Sequence, residues 1–193
     1  MFNKLYILLI SLFILSACGT DDSLNEVSVK DSQKEEIVVD EREAIYDLGS
    51  YQSIFEMNAI DFQQYWNRVA DNDEKIDIFS RSNKFIDYRY DAMTTSKVNI
   101  SIISDADTDI NRYAVVIGST SDDDVYDISE KLILLTDNTL SMSEKDEIFE
   151  LLGFSNREIE DTGSATVTKN GLTYQADFEY LDGGVPMLQF EIE

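Results

Sequence analysis

Leu172, Tyr174, Ala176, Phe178 and Tyr180 alternate with Thr173, Gln175, Asp177 and Glu179, the strictest period-two pattern in the chain. Successive side chains of a strand point to opposite faces, so this segment needs one covered face and one wet face. Asn170-Gly171 stands directly before it. That dipeptide suits the two left-handed positions of a type I′ turn and joins the strand to Ala165–Lys169 as a hairpin. Beyond it, Asp182-Gly183-Gly184 turns into a last strand with Leu188, Phe190 and Ile192 on one side. Such a chain is committed to an antiparallel sheet with apolar material against one face.

The rest of the pattern supplies that material. Ile60, Phe62, Tyr65, Trp66 and Val69 recur at helical spacing and predict a helix near 58–71. Four alternating segments follow, carried by Ile76 and Ile78; by Ile86, Tyr88 and Tyr90; by Val98, Ile100 and Ile102; and by Tyr113, Val115 and Ile117. Ser121 before Asp122-Asp123-Asp124 offers a cap and three anions to a positive helix end, and Val125, Ile128, Leu132 and Leu135 form the buried stripe. Ser141-Met-Ser-Glu144 matches a capping box for a further helix, with Ile148, Phe149, Leu151 and Leu152 apolar and Gly153 as its stop. The order is α-β-β-β-β-α-α-β-β-β. It predicts an α+β fold, an antiparallel sheet of about seven strands with helices packed on one face. The segments 58–104 and 141–193 both read helix then three strands.

At the other end, Lys4 precedes an apolar run of 11 residues, Leu5–Leu15, followed by Ser16-Ala17-Cys18-Gly19. A cation, a short apolar core and small residues before a cut site make a secretory signal. The run is shorter than the ~20 residues that span a bilayer. Leu15-Ser16-Ala17-Cys18 resembles the lipobox of bacterial lipoproteins. The resemblance implies cleavage before Cys18, a diacylglyceryl group on its thiol, and anchoring on the extracytoplasmic face of the cell membrane. Two acyl chains suffice for stable anchoring where one is marginal. Gly19-Thr20 and the acidic stretch after it resemble lipoproteins of Gram-positive bacteria in particular.

Residues 1–17 thus read as a signal peptide. Residues 18–45 follow as the lipidated cysteine and an acidic flexible tether, with nine acids against three bases after Cys18 and no aromatic residue. Residues 46–193 form a single exported domain. Phe62-Gln-Gln-Tyr-Trp-Asn67, Val115-Val-Ile-Gly118, Leu140-Ser141-Met-Ser-Glu144 with Leu152-Gly153, and Asn170-Gly-Leu-Thr-Tyr174 resemble small exported domains of Gram-positive lipoproteins. This likeness implies an architecture and no activity.

Composition narrows the chemistry. The chain has no histidine and one cysteine. That removes Ser-His-Asp and Cys-His catalysis, histidine zinc sites, an imidazole switch, and any intrachain disulfide or CxxC motif. Neither G-x-S-x-G nor Ser-x-x-Lys occurs, and the eight glycines form no phosphate-binding loop. Paired carboxylates remain, a route to glycosidase chemistry on the cell envelope. With 39 acids, neighbouring carboxylates also arise by chance. Asp105, Asp107 and Asp109 are the metal candidate, three hard oxygen donors at alternate positions that suit Ca²⁺. Glycine and a bidentate acid are missing where an EF-hand requires them, at Ile110 and Val116, and a solvated hairpin loop accounts for the same spacing. Trp66, Tyr88, Tyr90, Tyr174 and Tyr180 are expected in the core rather than in a ligand groove. The net charge of −24 opposes nucleic acid and anionic lipid headgroups. The expected function is non-enzymatic binding of a protein or peptide, with a cationic partner favoured by steering. No cofactor is expected; a carboxylate hydrolase and a cation or small-ligand receptor are the alternatives.

Overall fold

The computed structural model describes residues 40–77, 80–84, 87–121, 123–156, 163–181 and 184–193. These belong to one compact unit, Val38–Glu193. The elements are α1 (Glu41–Ile45), α2 (Ala59–Val69), β1 (Ser80–Lys84), β2 (Asp87–Met93), β3 (Asn99–Asp105), β4 (Asn111–Ser119), α3 (Asp124–Thr136), α4 (Met142–Leu151), β5 (Gly163–Lys169), β6 (Leu172–Leu181) and β7 (Val185–Ile192). The fold is α+β. All seven strands form one antiparallel sheet in the order β1-β2-β3-β4-β7-β6-β5. A two-fold placed between β4 and β7 exchanges β3 with β6 and β2 with β5. The counterpart of β5–β7 is therefore β2–β4, one strand later than the parallel between 58–104 and 141–193 suggests.

The predicted C-terminal hairpin is present, with Asn170 at φ 49° and Gly171 at φ 83°, the conformation an Asn-Gly turn supplies. Tyr174 and Ala176 of β6 and Leu188, Phe190 and Ile192 of β7 are buried. Tyr180, at the far end of β6, is 52% exposed and lies beyond the covered part of the sheet. The core rows run straight across the strands: Ala92, Ile100, Val116, Phe190 and Ala176 are successive cross-strand partners, and all are buried. Phe154 anchors the layer between sheet and helices, with ring contacts to Tyr126, Phe149, Phe178 and Phe190 at 5.3–6.2 Å. Gly118 lets α3 approach the sheet, since a Cβ there would stand 2.9 Å from Val125 Cγ2. The capping box of α4 forms in full: Glu144 N donates to Ser141 Oγ, and Ser141 N donates to the Glu144 carboxylate at 3.0 Å.

Four expectations change. The strand placed at Ile76 is instead a loop, with Ile78 outside the described residues. The backbone partners of Ile76 are side chains of α2: Asn67 Oδ1 accepts from Ile76 N, while Asn67 Nδ2 and Gln63 Nε2 donate to its carbonyl at 2.7 and 2.8 Å. Ile76 is buried without a strand neighbour, and the sheet begins later, at Ser80. In β4 the core takes Ala114 and Val116 rather than Tyr113, Val115 and Ile117. That strand is apolar at both parities, so its pattern did not fix its face. Helix α3 starts from Asp123, which makes no side-chain cap bond, while the Ser121 hydroxyl meets Ser119 Oγ at 2.6 Å. Residues 41–45, expected as tether, form the short helix α1. Asp40 caps it, and Arg42 forks onto Asp146 through two 2.8 Å bonds. Ile86, Asp122, Asp182 and Gly183 lie outside the described residues.

Candidate functional site

With the described helices on one side, the other face of the sheet carries no described helix and forms a seven-strand surface. One cross-strand row on it reads Ser80, Asp91, Ser101, Val115, Glu191, Gln175 and Thr166. The next row reads Met93, Asn99, Ile117, Gln189, Asp177 and Ser164. Ile103 and Tyr113 are paired on the same face. The middle of the surface is therefore apolar, with Val115 8% exposed and Ile103, Tyr113 and Ile117 half-buried. Met93, 61% exposed, extends this strip outward.

Acids frame the strip. Asp87, Asp91 and Asp105 stand toward β2 and β3; Glu191, Asp177 and Glu179 stand on β7 and β6. The described basic side chains on this face are already engaged. Arg89 Nε donates to Asp91 Oδ1 at 2.6 Å and its Nη2 to Ser101 Oγ at 3.0 Å; Ser101 donates in turn to Asp91 at 2.5 Å. Arg112, the extra residue of the bulge opposite Ile103 and Ser104, lies 3.4 Å from Asp87 and 3.8 Å from Asp105. On the β5–β7 half no described strand residue of this face is basic. An open depression of about 580 Å³ lies there, bordered by Gly163, Ser164, Asp177, Glu179 and Gln189.

Of the metal candidates, Asp105 and Asp109 are engaged separately, and Asp107 is exposed. Asp105 Oδ1 accepts from the backbone N–H groups of Asp107 and Thr108 at 2.9 and 3.1 Å, which holds its carboxyl below the usual carboxylate range. Asp109, at φ 59°, accepts from the Tyr90 hydroxyl at 2.8 Å. The alternating acids thus build a side-chain-capped turn between β3 and β4. Among the described residues no three acidic or cysteine side chains converge as a metal site. Leu15, Ser16, Ala17 and Cys18 lie outside the described residues. Of the aromatics expected in the core, Trp66 and Tyr174 are fully buried, Tyr88 and Tyr90 are half-buried, and Tyr180 is exposed instead; Trp66 Nε1 donates to the Glu74 carbonyl at 2.9 Å. No described helix is long and apolar enough to cross a membrane.

A second polar feature was not anticipated. Lys145, in the first turn of α4, is 1% exposed, and its Nζ donates to the Leu134 carbonyl in the last turn of α3 at 2.6 Å. A cation there meets the negative end of α3 and satisfies a carbonyl the helix leaves open. It also lines a cavity of about 380 Å³ between Glu43, Asp47, Asn138 and Met142. Burial lowers its pKa to about 8 against the opposing charges of Asp137 and Glu43. Burial, with Asp137 second, pushes the Tyr174 hydroxyl up; that hydroxyl has no hydrogen-bond partner among the described residues. Sequence gives little warning, since a lysine three residues after Met142 reads as a solvated helix position. The sheet strip did have a signal, in the apolar residues at both parities of β4.

Comparison with protein-family models, with curated proteins and with solved structures finds no match to this chain.

Proposed function

We propose that this chain is a lipid-anchored envelope protein whose domain binds a cationic protein or peptide on the helix-free face of its sheet, without catalysis. The observation that carries the reading is the apolar strip Ile103-Tyr113-Val115-Ile117 set inside a frame of six acids, on a face whose described arginines are already paired. Apolar centre and charged rim are the anatomy of a protein-binding patch. The acids of β6 and β7, with no basic partner among the described residues, add a field that speeds encounter with a cation and rejects anions. The lipobox likeness at Leu15–Cys18 supports a position on the extracytoplasmic face of the cell membrane, with acyl chains on Cys18.

The test uses crosslinking on intact cells. Asp177→Lys with Glu191→Lys, both on the sheet face, should abolish capture of the partner that wild type yields. Glu41→Lys with Glu150→Lys makes the same charge change on the helical side and should leave capture intact. Equal loss from both pairs would mean a general field and no binding face. The anchor is tested separately: a fatty-acid analogue should label wild type and fail to label Cys18→Ala, and equal labelling would remove the lipid anchor.

A further inference from the structure

The sheet ends in two edges of different character. Strand β1 carries Arg81 and Lys84 within five residues, and charge on an edge discourages pairing with another chain. Strand β5 reads Gly-Ser-Ala-Thr-Val-Thr-Lys, with no charge before Lys169, no proline and no bulge in its register. Lys169 itself is drawn to the helical side, its Nζ 3.0 Å from Glu147. Among the described residues nothing pairs with the outer edge of β5.

The hairpin sets which backbone groups that edge presents. In a two-residue turn the closing pair, Lys169 with Leu172, exchanges hydrogen bonds, and bonded and non-bonded pairs then alternate. Val167, Ala165 and Gly163 are therefore bonded to β6. Ser164, Thr166 and Thr168 turn their N–H and C=O groups outward, three donors and three acceptors at the spacing an extended chain needs. Their side chains stand on the helix-free face and are short. Asp177 sits directly across from Ser164 on β6, beside the open depression that Glu179 and Gln189 also border. A strand added to β5 would lie roughly 10 Å from β6, two strand spacings away. A lysine or arginine on it reaches over Ser164 to the Asp177 carboxylate.

We propose that β5 is a strand-addition site: an extended cationic segment of the partner pairs with its outer edge as an eighth strand, its basic side chains directed to the acids of β6. This is β-augmentation, in which main-chain bonds give affinity and alternate side chains give selectivity. It rests on the reading of the helix-free face as the docking surface and names the chemistry of the partner.

The experiment titrates the full chain with a capped alternating Lys-Val peptide, a Glu-Val counterpart, and a Lys-Val peptide N-methylated at alternate residues. Thr166→Pro removes one outward donor and leaves the β5–β6 ladder intact, an edge position where proline is tolerated. The Lys-Val peptide should bind and slow amide exchange at Ser164, Thr166 and Thr168. Thr166→Pro and N-methylation should each weaken it about tenfold, and the Glu-Val peptide should not bind. N-methylation reads the same bonds if Thr166→Pro disturbs the fold. Binding that survives both changes but is lost in Asp177→Lys with Glu191→Lys would overturn strand addition while leaving the docking face standing. Failure of the Lys-Val peptide to bind overturns strand addition, and the crosslinking result then judges the face alone. Self-association of the chain that Thr166→Pro abolishes would replace the peptide with a second copy and overturn the assignment.

Discussion

Replacing Lys145 with methionine isolates the cost of its buried ammonium. The pKa falls from 10.5 to about 8 on folding, which amounts to about 3 kcal/mol against the charged form at neutral pH. Between pH 8 and 10.5 the unfolded chain binds more protons at this site than the folded one, so wild-type stability rises with pH across that window. Below pH 8 the full cost is present. Methionine has similar length and no charge, but it gives up the 2.6 Å bond to the Leu134 carbonyl, a loss of about 1 kcal/mol. Lys145→Met should therefore be more stable than wild type by about 2 kcal/mol at pH 7. At pH 10.5 it should be less stable by about 1 kcal/mol. Urea unfolding of both proteins at both pH values measures this, because other titrations cancel in the difference. A difference that stays constant with pH would show that Lys145 titrates like a solvated lysine and would refute the reasoning.

Three further outcomes follow from the packing and the loops. Gly118→Ala should cost about 1–3 kcal/mol in urea unfolding through its 2.9 Å clash with Val125, and Val125→Ala in the same chain should recover part of that. Glu74 is 4% exposed, accepts from Asp71 N at 2.8 Å and holds Lys131 at 2.5 Å. Glu74→Ala leaves Lys131 with the exposed Asp71 alone and should lower stability by about 3 kcal/mol, read as a drop in the urea midpoint. Ca²⁺ and Mg²⁺ should raise the melting temperature equally, by relieving self-repulsion, with Asp107→Asn changing little; a Ca²⁺-selective shift lost in that variant would restore Asp105, Asp107 and Asp109 as a metal site.

The second half of the sheet was legible because its signals are local and unambiguous. Asn170-Gly171 admits few other conformations, and the Leu172–Tyr180 alternation and the Ser141/Glu144 box act within a few residues of themselves. Errors arose where a distant side chain takes the place of a backbone partner. Asn67 and Gln63 satisfy the Ile76 backbone as a strand would, so an alternating segment folds as a loop. The face of β4 was open to two readings because tertiary packing, through Gly118 against α3, chooses between two apolar parities. Lys145 was invisible for a similar reason, since its burial depends on where α3 ends. The Asp105–Asp109 spacing suits a metal loop and a capped turn equally; backbone N–H groups decide between them. The proposed docking face shares the ambiguity of β4, because its apolar strip is the half of that strand that the core did not take.

The central seam of the sheet has a consequence for how the protein is made. Strand β4 has no neighbour on one side until β7 arrives, and β7 is the last of the described strands. Everything before it consists of a four-strand meander and a two-strand hairpin, each with a bare inner edge. Neither piece can be sealed before β7 is available, and this long-range pairing slows folding. Loss of β7, Val185–Ile192, would leave two open seams in place of one closed sheet. Closure of the described sheet therefore waits on one strand: until β7 pairs, both β4 and β6 keep an open edge of the kind that invites pairing with another chain.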